Sequence, residues 1–406
     1  MRVGIDFGTS NTSVAYRVRD EIRLVALEGT STSIPTAIFY DESSDRFLLG
    51  NSALAAYETG QDGRLMRSIK SLLGTSLIDE STQVGNRRAT FKNIISHFLY
   101  GVIRRVESST GEKVTSVNQG RPVSFNDTDP ERDARAQDIL QACLEGIGVE
   151  TVSFLEEPVA AAKSVQFSPR EENLVLVVDI GGGTSDFSAI RVSKDSDTFD
   201  VLSSSGVYVG GNELDKFLSF SDIAKLFGKD EVLEKSKLSA PNEPYSILSD
   251  WKLLHRMQSK EIGSKIDWMR TQSPNSAGIK ALRYLVDQHD AHSYANKVEA
   301  IKVELSHQDN SIFHYKMGES TLEKTVIRTQ FENLIDRPLI KMENALDECL
   351  RAANISEAQV TDIVLVGGST LVPIVEKRLT NRFHQAHIVS NDRFTSVAKG
   401  LAAHVS

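Results

Sequence analysis

The chain has 406 residues and a formal net charge of −9, with 40% hydrophobic, 25% charged and 7% aromatic residues. That length and balance suit a soluble globular protein with two domain-sized cores and exclude a disordered chain. The acidic balance and the absence of Lys or Arg runs argue against nucleic acid as the main partner, and Arg87-Arg88 and Arg104-Arg105 read as solvated surface.

In chain order, the first feature is Val3 to Ser10, an apolar run carrying Asp6 that turns at Gly8-Thr9-Ser10 and resumes a β-like pattern. The opening MRVGIDFGTS, with its acid, reads as neither signal peptide nor anchor. No apolar run reaches the ~18 residues of a spanning helix, so the expected location is cytoplasmic, with no membrane partner. Residues 38 to 111 are mixed and read as an insertion. Glu131 to Ile147 predicts a helix stopped by Gly148. Leu174 to Ser185 (LVLVVDIGGGTS) is a second strand that turns at glycines and resumes as a strand. Residues 213 to 325 read as a second insertion, with Lys229 to Pro244 expected as a mobile surface connection. Thr329 to Ala353 predicts a long helix broken at Pro338, and Asp362 to Thr370 (DIVLVGGST) a buried strand that ends in a glycine turn. Strands alternating with covering helices indicate an α/β protein. Cys143 and Cys349 are far apart in helical patterns and read as buried apolar thiols, not a disulfide. The sequons Asn11-Thr12-Ser13 and Asn126-Asp127-Thr128 read as chance matches.

DFGTSNTSVAY and DIGGGTSDFSAI repeat one hairpin about 170 residues apart, which points to two homologous lobes and not to a solenoid. Glycines at a tight turn let backbone N–H groups approach a phosphate without Cβ obstruction. Gly8, Thr9, Ser10 and Asn11 form one candidate clamp, and Gly181, Gly182, Gly183 and Thr184 the other. Asp6 and Asp179 end their strands just before the turns, where a carboxylate can hold Mg²⁺ through water. A single Asp-x-Gly-Gly-Gly-Thr is more often only a turn; the duplication is what makes it a site. No Walker lysine motif occurs, the glycines do not open a helix as a dinucleotide site requires, and no His or Cys pairing suits a transition metal.

GIDFGTSNTSVAY, FLEEPVAAA, VVDIGGGTSD, VGGNELD and DIVLVGGST occur in the order found in the nucleotide-binding domain of DnaK-type heat-shock-70 chaperones. The chain resembles that family along essentially its whole length, within the actin-like ATPase superfamily. QGRPVSFND and VYVGGNELDKFLSF make it look most like the short YegD-type members. The resemblance implies two lobes closing on ATP or ADP with Mg²⁺, each a mixed sheet covered by helices with an inserted outer subdomain, on a duplicated ribonuclease-H-like core. Lobe I would be 1–172, with base 1–37 and 112–172 and outer insertion 38–111. Lobe II would be 173–406, with base 173–212 and 326–406 and outer insertion 213–325. After SVAKGLAAHVS, Ser396 to Ser406, no peptide-binding domain is expected.

By the same resemblance Asp6, Asp179 and Asp186 are the metal-water acids, Thr9, Ser10 and Thr184 bind phosphate, and Lys70 reaches the γ-phosphate. Glu157 orients or deprotonates the attacking water, beside the decoy Glu156. Gly210, Gly211 and Asn212 underlie the nucleotide, while Gly367, Gly368 and Ser369 form the turn under the adenosine. Glu299, Lys302 and Ser306 touch ribose and adenine from one helix face. Taken alone, Lys70 is an exposed helix lysine, Glu157 a capping acid before Pro158, and the 299–306 face a solvated one. Two positions depart from the family: Leu371 replaces an adenine-stacking arginine and Phe394 an acid. The implied activity is a slow ATPase switch of chaperone type acting on a protein client or co-chaperone. Nucleotide binding without turnover, an actin-like filament subunit and a small-molecule kinase share the fold.

Overall fold

The computed structural model describes residues 1–126, 129–167, 170–193, 198–389 and 392–404. Asp127 and Thr128 of the second sequon, and the last two residues of the C-terminal segment, lie outside the described residues. The chain forms two compact units, one of Met1–Gly206, Ala345–Thr370 and Thr380–Ser406, the other of Val207–Asn344 and Leu371–Leu379.

The first unit contains both repeated hairpins, each at the heart of a five-strand path. In the first sheet the order is Thr151–Glu156, Ser116–Arg121, Arg2–Phe7, Asn11–Val18, Glu21–Leu24, with Ser33–Pro35 also paired to Asn11–Val18. In the second it is His387–Val389, Asp362–Val366, Glu172–Ile180, Ser185–Ser193, Thr198–Val207. In both sheets the hairpin's first strand pairs antiparallel with its second and parallel with a strand from far along the chain. The registers coincide as well. Asp6 faces Ser13 and Phe7 faces Thr12; Asp179 faces Asp186 and Ile180 faces Ser185.

Parallel strands buried on both faces need near-continuous apolar sequence, and VGI, LVLVV and DIVLV supply it. Helix Phe91–Thr110 covers the first sheet with Ile94, Ile95, Phe98, Leu99 and Val102. Thr90 caps its start and Gly111, in the left-handed region at φ 75°, ends it. Helix Pro130–Gly146, capped by Asp129 with Pro at its first turn, matches the expected 131–147 segment. Between the sheets' contributions, Glu157–Lys163 buries the run Val159 to Ala162 against Val175, Val364 and the C-terminal helix Ser396–Ala403. A Cβ on Gly400 would lie 1.7 Å from the Ala160 carbonyl oxygen, so only glycine permits this crossing. Both cysteines are buried and free, as their helical settings imply.

The second unit is largely helical, with Gly211–Ser221, Lys260–Gln272, Ala277–Asp287 and Ala291–Leu305 around one hairpin, Asn310–Met317 with Ser320–Ile327. Its core is aromatic: Phe227 stands edge-on to Tyr294 and Tyr315, and Tyr294 edge-on to Phe313.

Two expectations are corrected. The helix expected to break at Pro338 breaks at Ile335, between Arg328–Leu334 and Asp336–Ala353. Pro338 sits in the first turn of the second helix, where its missing N–H costs nothing. Lys229 to Pro244 is not a loose connection. Lys229, Leu233 and Ala240 are buried, Leu233 N–H donates to Leu238 O at 2.8 Å, and Lys229 lies over the Phe220 ring.

Candidate functional site

The two glycine turns close identically. Gly8 N–H donates to the Asn11 carbonyl at 3.0 Å, and Gly181 N–H donates to the Thr184 carbonyl at 3.0 Å. Each turn is thus rigidly closed at its neck, leaving Thr9 and Ser10, or Gly182 and Gly183, at its tip. A Cβ on Gly8 would come within 2.5 Å of the Asn11 carbonyl oxygen, which explains the glycine there.

Lys70 is not an exposed helix lysine. It sits on a 3-10 turn, Ile69–Leu72, entered through Ser68 at φ 55°, and is only 7% exposed. Its Nζ donates to Glu157 Oε1 at 2.5 Å. Nor does Glu157 cap a helix: it is the first residue of Glu157–Lys163, its backbone continuing the strand Thr151–Glu156, and its side chain turns to the lysine. Gly120 on the adjacent strand makes room for it, since a Cβ there would lie 3.2 Å from Glu157 Cγ. Glu156, one residue earlier, is half-buried and its carboxyl is pushed up by burial, with Arg121 acting in the opposite sense.

The Lys70 turn is braced from below. Arg121 binds Asp133 at 2.9 Å, and Asp133 in turn accepts from Phe125 N–H at 2.6 Å. Asn126 Nδ2 then donates to the Gly74 carbonyl at 2.8 Å, just past Lys70.

Burial pushes the Asp6 carboxyl up to about 7, helped by Glu157 and opposed by Lys70. Asp179 is held well above the usual carboxylate range by burial first, then by Asp186, Glu157 and Asp6. For Lys70 burial works downward, yet Glu157, Asp6 and Asp179 outweigh it and the ammonium is held above its ordinary value. Although Asp6 and Asp179 each keep part of the residue surface exposed, their carboxyls are crowded by protein atoms, and it is the carboxyl that titrates. Glu157, Asp6 and Asp179 therefore share one cation, and the excess negative charge raises the protonated population of the two aspartates.

Among the described residues, no three or more His, Cys, Asp or Glu side chains are grouped to grip a metal directly. The acids fit a hydrated divalent cation better than a bare one: they repel one another within electrostatic reach, and Ser13 Oγ, buried opposite Asp6, lacks a hydrogen-bond partner. Asp186, across the hairpin from Asp179, is exposed and stands over Gly206, where a Cβ would lie 2.5 Å from its Oδ1.

The remaining predicted residues fall into two groups. Gly367 follows the strand paired with Glu172–Ile180 and adopts φ 82°; a Cβ would meet Ile180 O at 2.4 Å and Asp179 Oδ1 at 2.8 Å. Gly367, Gly368 and Ser369 are therefore brought against the second hairpin. Phe394, 47% exposed, lies over Gly368. Gly210, Gly211, Asn212, Glu299, Lys302 and Ser306 belong to the second unit. Gly210 and Gly211 open helix Gly211–Ser221. Lys302 is buried, 2.7 Å from Asp215, while Glu299 is exposed and Ser306 donates to the Lys302 carbonyl. Sequence reasoning missed Asp215, Gly120 and Gly206. Asp215, in the quoted VGGNELD, was the one with a signal.

The profile of the Hsp70 protein family matches residues 2–241 and 267–405. The chain belongs to the Hsp70 family. Among Hsp70 relatives, heat shock 70 kDa protein 7, chloroplastic, of Arabidopsis thaliana is 25% identical over 405 residues, covering 94% of this chain and 49% of that protein. The chaperone protein HscA homolog of Shewanella denitrificans is 25% identical over 425 residues, covering 99% of this chain and 57% of that protein. This Hsp70-family chain spans about half the length of the curated relatives it matches. No helix among its described residues is long and apolar enough to cross a membrane.

Proposed function

We propose that this chain is a Mg-ATP-binding, slowly hydrolysing ATPase switch of the chaperone type. The observation that carries the reading is the buried Lys70–Glu157 pair set against Asp6 and Asp179, beside two identically closed glycine turns. One ammonium among three acids is a poor structural solution on its own, and groups so perturbed and clustered are what phosphoryl chemistry uses.

In this reading the N–H groups of Thr9, Ser10 and Asn11, and of Gly182, Gly183 and Thr184, hold the phosphate chain. Bound Mg²⁺, carried through water by Asp6, Asp179 and Asp186, supplies neutralisation of the phosphoryl charge. Lys70 exchanges part of its contact with Glu157 for a γ-phosphate oxygen. Glu157, still oriented by Gly120 and its helix start, then accepts a hydrogen bond from the attacking water and aligns it. Gly210, Gly211, Asn212, Glu299, Lys302 and Ser306 serve ribose and base, with Gly367, Gly368 and Ser369 beneath the adenosine and Leu371 giving an apolar contact in place of a stacked guanidinium. The division into lobes 1–172 and 173–406, cytoplasmic location, and a protein client or co-chaperone belong to the same proposal.

The test compares ATP binding and phosphate release with and without Mg²⁺ in the parent chain, Asp179→Asn and Glu157→Ala. Binding with slow release that disappears in both variants is expected. Absence of nucleotide binding in the parent chain would end the reading.

A further inference from the structure

Thr36 is 2% exposed, immediately precedes the strand Ala37–Asp41, and lies 28 residues from the first glycine turn. It nevertheless engages that turn twice. Its Oγ1 donates to the Gly8 carbonyl at 2.7 Å, and its backbone N–H donates to the Ser10 carbonyl at 2.8 Å. A threonine hydroxyl has one proton, so in the 2.8 Å contact between Thr12 Oγ1 and Thr36 Oγ1 the donor is Thr12. The result is a directed chain from Thr12 through Thr36 to Gly8, each bond polarising the next.

A trans peptide points its N–H opposite its C=O. With the Gly8 and Ser10 carbonyls both drawn to Thr36, the N–H groups of Thr9 and Asn11 point together away from it. The second turn has a counterpart. Ser369 Oγ donates to the Gly181 carbonyl at 3.1 Å, which turns the Gly182 N–H outward in the same way. Gly8 and Gly181 hold equivalent places in the two hairpins, so a hydroxyl from a remote segment fixes the same peptide in each.

We propose that Thr36 and Ser369 are positioning residues that aim the backbone N–H groups of the two turns at the phosphates of a bound nucleotide. The inference rests on the nucleotide reading above and assigns to Ser369 a task at the phosphate clamp, not only in the turn beneath the adenosine.

The experiment measures MgADP and adenosine binding to the full chain by calorimetry, for the parent, Thr36→Val, Thr36→Ser and Ser369→Ala, with thermal melts alongside. Valine keeps the shape of threonine and removes only the hydroxyl. For Thr36→Val the MgADP dissociation constant should rise about tenfold, with adenosine unchanged within about twofold and serine restoring MgADP affinity. Ser369→Ala, whose side chain also borders the adenosine turn, should weaken MgADP about tenfold more than it weakens adenosine, and it carries the test if Thr36→Val does not fold. MgADP affinity unchanged in both folded variants, or an equal loss for adenosine, overturns the inference while leaving the nucleotide reading intact. A parent chain that binds neither probe sinks the nucleotide reading and this inference with it.

Discussion

Lys70 Nζ and Glu157 Oε1 lie 2.5 Å apart although 87 residues separate them in the chain. One comes from a 3-10 turn and the other from the junction of a strand and a helix, so neither is held in place by its own local structure alone.

Breaking this pair should therefore affect both stability and turnover. Lys70→Met leaves Glu157, Asp6 and Asp179 without their cation, and a loss of about 2 kcal/mol is expected from urea denaturation. Phosphate release should fall by about a hundredfold or more. Glu157→Gln should lower release to a similar degree while keeping the fold closer to the parent, because the amide still accepts a hydrogen bond from the lysine. Normal release from Glu157→Gln would remove Glu157 from the chemistry.

Asp6 gives a pH dependence with a definite sign. Its carboxyl loses a proton near 3.8 in the unfolded chain and near 7 in the folded one. Between those values the folded state holds the extra proton, so stability falls as pH rises. In chelator-containing buffer, Asp6→Asn should flatten the stability curve between pH 4 and 7 and be more stable than the parent at pH 8, by on the order of 2 kcal/mol. A variant less stable than the parent at pH 8 contradicts the assignment.

In the second unit, burial pushes Asp215 up to about 6 while Lys302 acts to lower it and Glu299 to raise it. Removing the ammonium with Lys302→Met should move the Asp215 titration further up, followed by carboxyl-carbon NMR. Stability at pH 7 should drop by about 3 kcal/mol, because one partner of a buried pair is left unpaired. An Asp215 titration that stays near the parent value would mean that the pair is looser than its 2.7 Å separation indicates.

Gly400→Ala tests the crossing of the C-terminal helix over Glu157–Lys163. The added methyl meets the Ala160 carbonyl, a backbone atom that cannot swing aside. Destabilisation of about 3 kcal/mol is expected from denaturant titration, whereas Gly146→Ala, with open space around its Cβ, should be neutral or slightly stabilising.

The hairpins were legible because everything that makes them is local. An apolar run, an acid, glycines and a second run lie within about a dozen residues, and period and turn chemistry read such segments directly. The helix at 130–146 was legible for the same reason: its apolar residues recur at helical spacing and Gly148 marks its end. The parallel partners of the hairpins were not, since Val3 meets Val117 and Val175 meets Asp362 through pairings that no local pattern encodes. Lys70 was found by resemblance, but its 3-10 turn was not foreseen, because Ser68 in the left-handed region leaves no composition signal. Thr36 left none either. It is one of many threonines, and its importance lies in two carbonyls 28 and 26 residues earlier.

The coincidence of strand order and register makes the two hairpins copies of one frame, and a duplicated frame left equal would give an elongated anion two interchangeable ways to lie. The copies are not equal. Where Asp179 faces Asp186, Asp6 faces Ser13. This exchange sets two carboxyl groups across from one another at one hairpin and a single carboxyl across from a hydroxyl at the other, so in the proposed nucleotide reading the frame itself carries a polarity before any base or sugar is recognised.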